Sequence, residues 1–109
     1  MANFILVRDP AGREKATKAY PNDFIDGGTT YDTGAGAERI KQLREEAEKR
    51  KAGGDTRAIL VDTGPELFSP GEVLLVWSPT EIGPKDKDWA AQSGVKTLTS
   101  KALLPSDVY

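Results

Sequence analysis

Neither cysteine nor histidine occurs in this chain of 109 residues. Without thiolate or imidazole it cannot build a zinc site of the usual sulfur and nitrogen ligands, so no metal is expected. It forms no disulfide. Nor can it supply a Ser-His-Asp or Cys-His couple, a histidine proton shuttle or a thiolate nucleophile. Catalysis would have to come from carboxylates, lysine, tyrosine, hydroxyls, a hard cation or a cofactor. No pattern singles out a catalytic residue or a cofactor, and the reading leans away from an enzyme.

An excess of one charge is also missing. Fifteen basic residues face 17 acidic ones, a formal net of −2, which is not the basic footprint that neutralises phosphates, so no nucleic acid is expected as a partner. No apolar run approaches the length that crosses a bilayer. The start, Met1-Ala2-Asn3-Phe4, has no basic region ahead of its short apolar stretch and does not read as a signal peptide. The default expectation is a cytoplasmic protein, or one packaged in a virion if its source is viral. Large aliphatic side chains are scarce as well: Leu, Ile, Val and Phe make up only about a fifth of the chain, near the level where disorder sets in. They are grouped, however, in Phe4–Val7, Ala58–Val61 and Val73–Trp77. Grouping of that kind predicts buried strands in one folded domain spanning 1–109.

Phe4 to Val7 reads as the first strand. Arg8-Asp9-Pro10-Ala11-Gly12 reads as a hairpin turn, with Pro10 fixing φ and Gly12 in a left-handed position, and Glu14 to Tyr20 as the returning edge strand. Asp26-Gly27-Gly28, between Phe24-Ile25 and Thr29-Thr30-Tyr31, reads as a second hairpin. From about Ala37 to Lys51 good helix formers run without Gly or Pro, and Ala37, Ile40, Leu43 and Ala47 form a narrow apolar stripe. Glu46 and Arg50 are expected to face water as an i,i+4 pair. Further strands are predicted at Thr56–Asp62, Glu72–Trp77 and Val95–Thr99, with one or two helical turns between Asp86 and Gln92. The order predicts an α+β domain: a small, twisted, mainly antiparallel sheet or open barrel carrying one long amphipathic surface helix. A doubly wound fold would need helices for both faces, and only one helix is convincing at this level.

Three short patterns touch on chemistry. Asp32-Thr33-Gly34 and Asp62-Thr63-Gly64 both spell a tripeptide that resembles the catalytic loop of aspartic proteases, in which two such aspartates share a proton. The copies lie too close along the chain, with a charged helix between them, for each to occupy a barrel lobe of its own; turn chemistry accounts for both. Ile59-Leu60-Val61-Asp62-Thr63-Gly64 resembles a strand and turn of metallo-β-lactamase-fold hydrolases, but the histidine ligands that define those enzymes are absent. Gly34-Ala35-Gly36 opens the long helix, where backbone amides bind anions. It lacks the third glycine and the lysine-hydroxyl pair of nucleotide loops, and Glu38 in the first turn repels an anion.

Trp77 is expected in the core, whereas Trp89, among Lys85, Asp86, Lys87 and Asp88, is either a loop anchor or an exposed contact. Leu103, Leu104, Val108 and Tyr109 make the tail too apolar for a solvated terminus, so it should dock on its own domain beside Trp89 or on a partner. The function this profile favours is a non-enzymatic protein-binding module, a small accessory, assembly or inhibitor protein of viral, mobile-element or other origin. Its contacts to a protein partner or a second copy would come from Trp89, Leu103, Leu104, Val108 and Tyr109. The alternative is a small-ligand or nucleotide-binding protein, or a carboxylate enzyme, built around Asp32, Gly34, Gly36 and Asp62.

Overall fold

The computed structural model describes residues 3–30 and 33–109, with backbone only at 30 and 33–35. Five strands, β1 (Phe4–Val7), β2 (Phe24–Thr30), β3 (Ala58–Thr63), β4 (Val73–Ser78) and β5 (Lys96–Thr99), alternate with helices α1 (Pro10–Ala19), α2 (Thr33–Ala52) and α3 (Pro84–Ser93). The strands form one sheet in the order β2-β3-β1-β4-β5, and every pairing in it is parallel. The fold is therefore α/β, not a mainly antiparallel α+β sheet with one helix. The three central strands explain why. β1 and β3 are buried at every position and β4 at all but one, and strands covered on both faces are the mark of a parallel sheet.

Both expected hairpins are absent. Asp9 caps α1, its Oδ1 accepting the Ala11 and Gly12 amides at 3.0 and 3.3 Å, and Pro10 takes the first helical position, where a missing N–H costs nothing. Gly12 is accordingly helical, and the segment expected as an edge strand forms the body of α1. Asp26-Gly27-Gly28 does not reverse the chain either. It lies inside β2, where the register with β3 shifts between Asp26 and Thr29 and Gly28 takes φ +83°. The glycines make a kink in one strand rather than a turn between two.

The step from β1 to β2 runs along the sheet in the opposite direction to the later steps. With one crossover hand this puts α1 on one face and α2 and α3 on the other. Side-chain burial agrees. Phe4, Leu6, Ile59, Val61 and Val76 pack with Ile40, Leu43 and Ala47 of α2, and Trp89 of α3 lies against the same cluster. Ile5, Val7, Leu60, Leu75 and Trp77 pack with Ala16 of α1 and with Leu103 of the C-terminal segment. The tail thus covers the part of its face that α1 leaves bare, on the side of the sheet away from Trp89. Among the described residues no helix is long and apolar enough to cross a membrane.

Candidate functional site

In an open parallel sheet, ligands bind beyond the carboxyl ends of the strands, where neighbouring connections leave on opposite faces. Here that place lies between β1 and β4, because α1 leaves from β1 on one face and α3 from β4 on the other. A cavity of about 320 Å³ reaches that place at one end, where it is lined by Asp9, Ala11 and Gly12 after β1 and by Trp77, Pro79 and Thr80 at the end of β4. From there it runs along α1 on one face of the sheet. Its side walls are Lys15, Ala16, Ala19 and Tyr20 of the α1 region and Lys101, Ala102 and Leu103 of the C-terminal segment.

The hollow follows from the local sequence. Gly12, Ala16 and Ala19 share one face of α1 and are too small to fill the space between the helix and the tail. Gly12 admits the indole beneath it: a Cβ there would lie 3.1 Å from Trp77 Cη2 and 3.5 Å from Pro79 Cγ. The indole is 1% exposed, and its Nε1 donates to the carbonyl and hydroxyl oxygens of Ser100 at 3.1 and 3.2 Å. These bonds hold the start of the C-terminal segment over β4. The Ser100 hydroxyl donates in turn to the Ala102 carbonyl at 2.8 Å, which shapes the turn presenting Lys101. Lys15 and Lys101 then stand on opposite walls, both exposed, and neither enters a salt bridge among the described residues. Arg13, behind α1, is committed to an ion pair with Asp26.

A second set of polar groups sits at the same edge, inside the protein. Asp62 and Thr63 are fully buried, Ser78 is 3% and Asp86 7% exposed, and Arg8 Nε pairs with Asp86 Oδ2 at 3.1 Å. That pair ties the β1–α1 turn to α3. No group of three or more potential ligand side chains able to hold a metal ion occurs among the described residues.

The residues singled out from sequence are distributed as follows. Asp32 lies outside the described residues. Gly34 and Gly36 belong to the first turn of α2, which begins just after Thr30, the partner of Thr63 in the sheet. Asp62 and that turn therefore share the carboxyl edge, but neither Asp62 nor Gly36 lines the cavity. Leu103 is a buried cavity wall, Val108 is half-buried in the α1-side cluster, Leu104 is 41% and Tyr109 62% exposed. The Tyr109 hydroxyl donates to the Asp23 carbonyl and accepts from the Ala58 amide, both at 2.8 Å, and its ring stacks on Phe24. Burial of that phenol end, aided by Asp23 and Asp55, raises its pKa above the usual 10.0, against the pull of the Ala58 amide and Arg57. Trp89 is half-buried on the other face. Sequence reasoning missed Gly12, Lys15, Thr80 and Lys101. The available signal was Asp9-Pro10, which starts a helix as readily as a turn.

Comparison with known protein families, with characterised proteins and with solved structures finds no significant match.

Proposed function

We propose that this protein is a non-enzymatic small-ligand-binding α/β domain whose site is the cavity between α1, the end of β4 and the C-terminal segment. One observation carries the reading: the cavity reaches, at its Asp9, Gly12, Pro79 and Thr80 end, the place where the topology of a parallel sheet puts ligands. The docked tail supports it as well, because a segment that builds a cavity wall and ties itself to β3 has a use within its own domain. Nucleotide binding at the β1–α1 turn is disfavoured. The Ala11 and Gly12 amides that would donate to a phosphate already donate to Asp9 Oδ1, and Pro10 has no amide to offer.

The test is a thermal-shift screen of small organic compounds against the wild type and Ala19→Phe. Ala19 is exposed on the cavity wall, so the larger ring obstructs the opening without disturbing the core. A compound at about 100-fold above its Kd adds about 2.7 kcal/mol of stability, which is several degrees in Tm. Hits that raise the Tm of the wild type but not of Ala19→Phe support the reading. An absence of hits, or hits that stabilise both proteins equally, would contradict it.

A protein-binding role has one observation in its favour, the exposure of Leu104 and Tyr109 in the tail. It predicts that Leu104→Ser abolishes capture of a specific partner from native extract while leaving the Tm unchanged. Equal capture by wild type and variant would remove it.

A further inference from the structure

We infer that the ligand of this cavity is an amphipathic organic anion, a compact aromatic or hydrocarbon body carrying one carboxylate, sulfonate or phosphate group. The inference rests on the cavity reading above and adds the chemistry of the ligand. At about 320 Å³ the space is at the small end of ligand sites. Its accessible walls are mostly carbon, from Ala19, Tyr20, Pro79 and Ala102, with the buried Trp77, Ala16 and Leu103 behind them. The indole N–H is spent on Ser100, so the floor offers no donor and the body of the ligand is held by apolar contact.

The charged group is placed by the cations. Asp9, the carboxylate in the lining, has its Oδ1 bound to the Ala11 and Gly12 amides, and its charge excludes an anion from the start of α1. Lys15 and Lys101 stand on opposite walls without ion-pair partners among the described residues. Lysine stems lie along apolar walls while their ammonium groups stay at the wet rim. Two such lysines in the lining of one cavity, in a protein of formal net charge −2, make a local site for a single anion beside an apolar space that takes the rest of the molecule.

The experiment compares two fluorescent probes with related aromatic skeletons, anionic 8-anilinonaphthalene-1-sulfonate and neutral N-phenyl-1-naphthylamine. Each is titrated into the wild type, Lys15→Gln/Lys101→Gln and Ala19→Phe, with melting curves confirming that all three are folded. The sulfonate is expected to bind the wild type at one site and about tenfold or more weaker to the lysine double variant, the loss of a charge-assisted contact. The neutral probe should not distinguish those two proteins, and Ala19→Phe should lose both probes. If both probes bind the wild type equally and the lysine variant keeps both, the anion inference fails while the cavity stands as a site. If the sulfonate depends on the lysines but ignores Ala19→Phe, the anion site lies outside the cavity and the inference fails. If neither probe binds, the cavity reading and the inference fail together.

Discussion

A methyl group on Gly27 would lie 2.9 Å from the Leu60 carbonyl oxygen and 2.9 Å from Ile59 Cγ2. Backbone in the middle of a parallel pair cannot retreat, so Gly27→Ala should destabilise by about 1–3 kcal/mol, the usual cost of overpacking. Gly71→Ala is the control, since nothing approaches within 4 Å of a Cβ there; its effect should stay within about 0.5 kcal/mol. Urea midpoints of the two variants and the wild type measure both values, and equal midpoints would remove the close approach of β2 to β3. The same position shows why residue-level signals misled. Asp26-Gly27-Gly28 carries every mark of a hairpin turn, but Gly27 is needed for contact with β3 and Gly28 for a kink at φ +83°. Asp9-Pro10 likewise fits two local structures, and only the burial of Gly12 against Trp77 selects the helix. That burial is a tertiary fact no local pattern contains.

Whole elements were more legible where their own periodicity exposed them. The stripe of α2 is correct at Ile40, Leu43 and Ala47, which are 1%, 1% and 5% exposed. Glu46 and Arg50 do form the expected pair, at 3.5 Å. Ala37 is exposed instead of buried, because Gly36, one turn before Ile40, takes the inward position of the stripe. Leu43→Ala should therefore cost about 2–5 kcal/mol, read from the urea midpoint; a change within error would mean that α2 does not depend on the sheet. The tail behaves as an element too, anchored at its end by Tyr109. A phenol whose folded pKa is raised contributes stability that is present below the unfolded value of 10.0 and lost as pH rises through the folded value. Comparing the Tm of wild type and Tyr109→Phe across that range should show a wild-type advantage that disappears in alkali. An advantage unaffected by pH would contradict the burial of the phenol end.

At the scale of the whole molecule, the apolar runs of β1, β3 and β4 announced buried strands but not which strands pair. Order and direction depend on helices packing over both faces, and one of those faces is completed by a segment without regular secondary structure until its final 3-10 turn, Pro105–Asp107. This explains how a chain with so few large aliphatic residues closes a doubly wound sheet: Leu103 and Val108 stand in for a missing helix. The Cα radius of gyration, 12.8 Å, is that of one compact domain of this length. The candidate site was hidden for the same reason, since its walls come from α1, β4 and the tail and meet only in the folded molecule. Trp77 and Leu103 were recognisable as important, but not as parts of one cavity. Amide chemical-shift mapping on ¹⁵N-labelled protein with a mixture of small aromatic carboxylates tests the central claim most directly. The account predicts shifts confined to the amides of Gly12, Lys15, Ala16, Thr80, Lys101 and Ala102. Shifts centred instead on α2 and Trp89, or no shifts at millimolar ligand, would contradict it.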